Sequence, residues 1–499
     1  MSGRDAFDVI VVGAGAAGCV MAARLAQSRA RSVLLLEAGR DLRSDPPELV
    51  RDGWNMTREF DWGYASEPDD IGASQKLRRL KLVGGTSNVV RFAVRGSPAD
   101  YGEWVALGNP GWGFDDLLPY FKRLETDLDY GDQPWHGDRG PIPIGRYRDI
   151  EPTDVHAAAV GALVGAGFPQ VADHNRPGAV GIGPMPMSSR DGVRVTTAVA
   201  YLGPGSTKPH VSLRPEAEVA HVLFQGTRAT GVRLVDGSEI EAGCVVLCAG
   251  TYGSPPILMR SGIGPAEHLR AVGIPIRIEL SGVGANLADH PAIDFDCGYR
   301  GDARATPLLH TIATFHTSGM STSAPPDLMF WLSDPAPAGE PEQFTIGVVL
   351  LKPQSRGTVR LRSANPTEAP RIELPNLRDP YDLERLVEGY LRVREVASSP
   401  ELRRLCNGPL PPDIHDDGRL RRTIRQMASS IPHVVGTCSM GPSTDVQAVV
   451  DRSGRVYGTE ALFVADASIM PTVPSGFTHL PTIVIAEKLA EEIARLFEA

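Results

Sequence analysis

The chain opens on an unbroken apolar run, Val9 to Val12, inside "DVIVVGAG". A Gly-rich turn follows, and Ala-rich helical periodicity then continues to about Gln27. A second unbroken run, "SVLLLEAGR", ends in Glu37. Short apolar runs bounded by glycine read as buried strands, and the 3.6 period between them reads as a helix, so this stretch predicts a β-α-β unit. From about Asp41 to Ala73 the pattern loses its periodicity. Residues 96–150 are rich in Pro, Gly, Trp and Tyr and are expected to wrap the surface. "HVSLRPEAEVAHVLFQGTRATGVRLVDGSEIEAGCVVLCAG" alternates like short strands, with turns at Gln225-Gly226 and Asp236-Gly237. "EQFTIGVVLLKPQSRGTVRLRSA" reads as antiparallel strands and "YDLERLVEGYLRVREVASS" as an amphipathic helix. "ALFVADAS" is a last buried strand. From Thr482 to Phe497, apolar Ile483, Ala486, Leu489 or Ala490, Ile493 and Phe497 predict a last helix packed on one face.

Bulk properties narrow the function. The 499 residues carry 42% hydrophobic and 22% charged side chains and a net charge of −10. No basic stripe or Lys/Arg-rich segment occurs, which speaks against a nucleic-acid partner. No apolar run approaches the roughly 20 residues that span a bilayer. The six cysteines fit neither a zinc site nor a disulfide framework, so no metal is expected. With no basic-then-apolar leader pattern at the start, the expected location is the cytoplasm. Oligomeric state leaves no mark in the sequence.

Gly13, Gly15 and Gly18 form G-x-G-x-x-G between the first strand and first helix, with Ala16 and Ala17 in the same turn. The first glycine makes the turn, the second admits a pyrophosphate to the backbone, and the third lets helix and strand pack closely. The helix start offers free N–H groups and a positive dipole end to phosphate. Glu37 lies 24 residues after Gly13, followed by Ala38, where a carboxylate accepts from ribose hydroxyls. An acid there disfavours a 2′-phosphate. The spacing alone does not separate NAD from FAD.

Several further segments resemble the glucose–methanol–choline (GMC) oxidoreductases, FAD-dependent alcohol oxidases and dehydrogenases. They are "KLVGGTSNVVRFAVRGSPADYGEW", "AGTYGSPPILMRSGIGP", "GVGANLADHP", "HVVGTCSMGP", "LFVADASIMP" and "PSGFTHLPTIVIAEKLA", in that order. The resemblance runs from about Asp8 to Ala490. It implies an α/β fold: a Rossmann-like FAD-binding domain with an inserted substrate domain built on a mostly antiparallel sheet backed by helices. The expected division is 1–300 for the FAD-binding portion with surface-wrapping segments, 301–432 for substrate binding, and 433–499 for the return to the FAD domain. By position, Val83, Gly84, Gly85, Thr86 and Asn88 are expected at the flavin and its phosphates. Val219 is expected at the adenine, Asp466 and Ala467 at the pyrophosphate and ribityl chain, and His479 and Pro481 beside the flavin. The Gly84–Gly96 stretch is one residue shorter than the family pattern. No histidine occurs in "GGTSNVV", so the FAD is expected to be non-covalent.

The resemblance also supplies a histidine pair, His433 before "GTCSM" and His479 eight residues ahead of Glu487. Alone, His479 is an ordinary helix-start residue. As a pair, one neutral imidazole takes the hydroxyl proton of an alcohol while hydride leaves for flavin N5, and the second steadies the oxygen. His433 is expected to be the main base and His479 its partner. The other histidines, His290 in "ADHP" included, read as structural. The pocket is expected under the 301–350 region and "PMPMSS", with Phe330 or Trp331, but only one of them, as an aromatic wall. The implied reaction is oxidation of a small to medium primary alcohol, with O2 or another electron acceptor. A non-redox lyase of the hydroxynitrile-lyase type on the same fold is the alternative.

Overall fold

Two sheets organise the protein. The computed structural model describes residues 6–28, 31–46, 60–146, 152–204, 210–301, 311–333, 343–375, 377–408 and 411–497. In the first sheet Ala6–Val12 lies between Val33–Leu36 and Glu239–Leu247, and both pairings are parallel. Val211–Arg214 extends the sheet beyond Val33–Leu36, and Leu462–Val464 pairs with Glu239–Leu247, again in parallel. The central stretches of these strands, Val9–Val12, Val33–Leu36, Cys244–Leu247 and Leu462–Val464, are continuously apolar and buried, as for a parallel sheet covered on both faces. Val9, Ile10, Val11, Val245, Val246 and Val464 are all fully buried. An antiparallel flap, Val219–Gln225 and Arg228–Leu234, leaves the sheet on the start of Glu239–Leu247. Its turn glycine Gly226 has φ +62°, and the next turn's Gly237 has φ +88°, values that β-carbon residues rarely adopt. The register places Val12, Leu36, Leu247, Val464 and Arg214 at one edge, so the carboxyl ends of the parallel strands converge there.

The second sheet is antiparallel, ordered Ser429–Ser430, Pro291–Gly298, Gln343–Leu350, Leu328–Ser333, Thr311–Phe315 and Gly181–Pro184. It draws Gly181–Pro184 and Pro291–Gly298 from ahead of residue 301. The antiparallel layer therefore includes strands from before residue 301, because Thr311–Phe315 pairs backward onto Gly181–Pro184. Alternation splits its side chains between two cores. Ile293, Phe295, Phe330, Ile346 and Val348 pack with Leu386, Tyr390 and Val393 of the helix Pro380–Ala397. Ala292, Ile312, Met329 and Val349 face the other way, with Met185, Met187 and Phe477. Phe330 thus belongs to the helix-backed core. Trp331 turns to the opposite face and donates from Nε1 to Asp294 Oδ1 at 3.0 Å.

Part of the segment expected to wrap the surface is instead core. Pro98–Ala106 and Phe114–Leu124 are helices, and Tyr101, Trp104, Trp112 and Phe121 are buried. Their aromatic and aliphatic residues recur at helical spacing, which the flanking Gly and Pro residues obscure. The last helix begins earlier than expected, at His479, and runs to Arg495. Ile483, Ala486, Leu489, Ala490 and Ile493 are buried, but Phe497 lies past the helix end and is exposed. No described helix is long and apolar enough to cross a membrane.

Glu487, fully buried, locks this helix to the rest. Its carboxylate accepts from Arg24 at 2.8 Å, Arg123 at 2.8 Å and the Tyr201 hydroxyl at 2.6 Å. Removing it strands three donors, two of them cations. Glu487→Ala is expected to destabilise the protein by about 3 kcal/mol. Chemical denaturation checks this, and an unchanged midpoint would show that the three donors find other partners.

Candidate active site

A cavity of about 330 Å³ opens where the parallel strands end. Its floor is backbone. A β-carbon at Gly13 would lie 2.7 Å from the Cys248 carbonyl oxygen, and one at Gly18 would lie 1.8 Å from the Gly13 carbonyl oxygen. Those two glycines are dictated by close packing. Gly15 is different. A β-carbon there meets no protein atom within 4 Å and would intrude on the cavity instead. Gly15 is also the N-cap of the helix Ala16–Leu25, which has no side-chain cap. Its first N–H groups are therefore available to a ligand, as a pyrophosphate requires.

A second glycine turn docks on the first. Gly84 N–H donates to the Ala14 carbonyl at 2.7 Å, and a β-carbon at Gly85 would sit 3.0 Å from the Gly15 α-carbon. Gly84 and Gly85 both have positive φ, +98° and +50°. Gly85 and Thr86 line the cavity. Val83, Gly84 and Asn88 do not, although they were expected at the flavin. The Asn88 side chain donates to the carbonyls of Val83 at 2.9 Å and Gly85 at 3.0 Å, so it braces the turn from behind. Pro481 is likewise buried in the first turn of the last helix and off the cavity.

Glu37, Ala38 and Val219 lie together on the cavity wall. Glu37 accepts from the backbone N–H of Ala14 at 2.9 Å and of Gly39 at 2.8 Å. Burial nonetheless pushes its carboxyl up to about 7, against those two donors. Asp466 both caps and lines. Its Oδ1 accepts from Ser468 N–H at 2.8 Å, and its Oδ2 accepts from Gly250 N–H at 2.8 Å and the Ser254 hydroxyl at 2.6 Å. Ala16, Ala17 and Ala467 complete this side. These residues fit FAD: an uncapped helix start, a glycine position open only to a ligand, and a buried acid after the second strand.

The far end of the cavity carries His433, Phe477, Thr478 and His479. His479 is the first residue of the last helix, so the plain helix-start role and a place on the cavity coincide. Burial lowers its imidazole to about 4, helped by the nearby Arg194 guanidinium. His433 is held by its backbone N–H, which donates to Asp289 Oδ1 at 2.8 Å. Its ring meets Phe477 edge-on, with centroids 4.9 Å apart. Burial holds it well below the usual histidine range, with help from His290 and Arg79. Both imidazoles are therefore neutral near pH 7.

Some cavity residues were not singled out in the sequence. Trp62 and Tyr64 stack at 5.7 Å, Tyr64 meets Tyr252 edge-on at 5.8 Å, and the Arg79 guanidinium lies 5.1 Å from the Tyr252 ring centre. They and the segment 366–370 line the cavity, whereas no described residue of 301–350 does. His290, read as structural, is the most consequential omission, since its Nδ1 lies 3.0 Å from His433 Nδ1. Among the described residues one cluster, Glu125, Asp127 and His136, has the ligand spacing of a metal site. The guanidinium groups of Arg95 and Arg146 pair with those carboxylates instead.

A parallel sheet with an uncapped glycine turn, a buried acid and a histidine-lined cavity at its carboxyl edge defines a dinucleotide-binding oxidoreductase. Family models described as GMC oxidoreductase match residues 7–292 and 353–486. The chain belongs to that family. It is 37% identical to the 5-(hydroxymethyl)furfural oxidase of Methylovorus sp. over 98% of each chain. It is 34% identical to the mitochondrial choline dehydrogenase of Mus musculus, over 98% of this chain and 90% of that one. The crystal structure of pyridoxine 4-oxidase from Mesorbium loti superposes with a TM-score of 0.90 at 29% identity, covering 97% of this chain and 99% of that one. The protein is an FAD-dependent oxidoreductase of the alcohol oxidase and dehydrogenase kind.

Two outcomes follow from the geometry. Gly18→Val forces a side chain into the Gly13 carbonyl and is expected to abolish FAD binding, read from flavin absorbance per protein. Full flavin content would refute the packing argument. The second concerns acid. Unfolded His479 takes a proton near pH 6.5, while the folded one resists until about pH 4. Its stabilising contribution is thus present above pH 6.5 and lost as pH falls toward 4. Glu37, raised to about 7, works in the opposite sense. The difference between the wild type and His479→Asn isolates the histidine. The variant's thermal midpoint is expected to gain on the wild type between pH 6.5 and 4, and a constant gap would contradict a neutral buried His479.

Proposed function

We propose that the protein oxidises a small to medium primary alcohol to the carbonyl, with His433 as the main proton acceptor and His479 as its partner. The observation that carries this reading is that two neutral histidines, His479 buried and His433 half-buried, line the same cavity as the glycine turns. Bound FAD supplies a hydride acceptor at flavin N5. The protein's part is to hold the hydroxyl and remove its proton. A neutral imidazole accepts that proton, and a second one hydrogen-bonded to the same oxygen stabilises its developing charge. The N-terminus of the last helix, at His479, adds a positive dipole end to this corner. Phe477 lines the cavity and packs behind it on the apolar residues Met185, Met187 and Met329.

The substrate class is supported by the relatives, named for 5-(hydroxymethyl)furfural, pyridoxine and choline. Arg79 lines the cavity and acts on His433, which favours a neutral alcohol over a cationic one such as choline. The FAD is proposed to be non-covalent, since no histidine stands in the segment 83–90. The electron acceptor is O2 or another oxidant.

Anaerobic titration of the flavin spectrum with ring-bearing and aliphatic primary alcohols, followed by air, tests the reading. A neutral primary alcohol is expected to bleach the flavin, and its carbonyl product to accumulate. Flavin that no alcohol reduces would point to non-redox lyase chemistry. His433→Ala is expected to slow flavin reduction by about 10²–10⁴-fold, the usual worth of a general base. His479→Asn, which keeps a hydrogen-bonding group, is expected to slow it less. Flavin that remains with the protein after acid precipitation would overturn the non-covalent assignment.

A further inference from the structure

A second cavity, of about 260 Å³, is bounded by the segments 94–99, 174–180 and 322–326, the strand Thr311–Phe315 and Ser475. Its lining shares no residue with the cofactor cavity. The wall between the two is main chain. Phe477 N–H donates to the Val94 carbonyl at 3.0 Å, and a β-carbon at Gly476 would lie 2.5 Å from the Gly96 nitrogen. Val94 and Ser475 face the second cavity from this wall, and Phe477 faces the first.

Two buried polar side chains on this lining lack partners. Ala313 and Phe315 pack in the helix-backed core, so alternation turns Thr314 to the other face, with Ile312. That is the cavity side. Thr314 is 4% exposed, and its Oγ1 bonds to no described residue. His174 is 5% exposed, and its Nε2 likewise bonds to none. Buried groups of this kind are costly unless something in the cavity satisfies them. The lining holds no carboxylate. The acids that adjoin lining residues along the chain, Asp100, Asp173 and Asp327, are already paired with Lys352, Arg146 and Arg385. Burial keeps His174 neutral, down at about 4. The formal charge of the described lining is therefore that of Arg176, which is exposed and forms no ion pair among the described residues.

We propose that this cavity is a second ligand site, separate from the cofactor cavity, that binds a small organic carboxylate through Arg176, Thr314 and His174. A guanidinium meets a carboxylate with two parallel N–H···O bonds, and a hydroxyl adds an O–H donor. A neutral imidazole with its proton on Nε2 adds another. Val94, Pro98, Ala179 and Val180 give the rest of the lining an apolar character. That suits a ligand with a hydrocarbon body better than inorganic phosphate, which carries its hydration on every side. The volume lies below the roughly 300–1,000 Å³ of sites for drug-sized ligands, so the body is about one ring in size. The occupant would join the strand Thr311–Phe315 to the segments 94–99 and 174–180 without touching the flavin.

Isothermal titration of the FAD-loaded enzyme with benzoate tests this, with benzamide as the neutral isostere and inorganic phosphate as the hydrated anion. The expected result is saturable benzoate binding with the flavin spectrum unchanged, and binding about tenfold weaker or less for the other two. Arg176→Gln, at an exposed position, is expected to weaken benzoate by about tenfold, the worth of a charged hydrogen bond. Thr314→Val removes a hydroxyl that bonds to nothing described in the protein. It is expected to weaken benzoate severalfold and to leave the ligand-free thermal midpoint undiminished. Failure of benzoate to bind, phosphate binding as tightly as benzoate, or an affinity unmoved by Arg176→Gln overturns the proposal. Benzoate that shifts the flavin absorbance and competes with an oxidisable alcohol occupies the cofactor cavity, which overturns it as well. If Thr314→Val fails to fold, Arg176→Gln still decides.

Discussion

The cofactor site depends on backbone meeting backbone without side chains between. Gly13 sits against the Cys248 carbonyl, Gly18 against Gly13, and Gly85 against Gly15. The first two approaches are closer than a β-carbon tolerates, and at Gly85 one would sit only 3.0 Å from the Gly15 α-carbon. Because the two glycine turns touch, the sheet edge, the helix start and the Gly85–Asn88 turn bound one cavity rather than three separate surface features. The same lack of side chains leaves peptide N–H groups as the polar lining facing the phosphates. Electrostatics there come from the fold itself, through the uncapped helix at Gly15.

The histidine end works by the opposite means. It is crowded, and its chemistry comes from side chains kept from water. Desolvation lowers His290, His433 and His479 alike, so neutral imidazole is available without any acid group needed to tune it. Asp289 shapes this region without touching the ring nitrogens. It accepts from two backbone N–H groups and the Ser430 hydroxyl, and burial raises its carboxyl to about 6. One layer supplies donors from the main chain, and the other supplies proton acceptors from side chains.

How much of this was legible in the sequence follows from the range of each interaction. Gly13, Gly15, Gly18 and Glu37 announce themselves because strand, turn, helix and acid are neighbours along the chain. His433 and His479 needed the ordered motifs around them, since a histidine at a helix start has no chemistry of its own. Asn88 was placed at the flavin by position, yet its amide satisfies the carbonyls behind the turn, a local need that the motif does not display. Tyr252 meets the stacked Trp62–Tyr64 pair edge-on from a segment far along the chain, where no period exists to read. Alternation could say that Phe330 and Trp331 point apart but not which faces the helix, because that depends on the partner strands. His290 was undervalued for the same reason, as its partner is 143 residues away.

The placement of Leu462–Val464 and the last helix bears on how the chain acquires its shape. The first strand's neighbour Glu239–Leu247 is made more than two hundred residues after it, and the strand beside that one later still. Arg24, in the first helix, waits for Glu487. A growing chain leaving the ribosome therefore exposes the edge of a parallel sheet until nearly all of it has been synthesised. Non-local pairing of this kind folds slowly and is open to aggregation meanwhile. A chain stopped short of residue 462 lacks a strand of its central sheet and the residue that neutralises Arg24. Such a fragment has no route to a smaller working enzyme, so the first helix and the last strand of the sheet succeed or fail together.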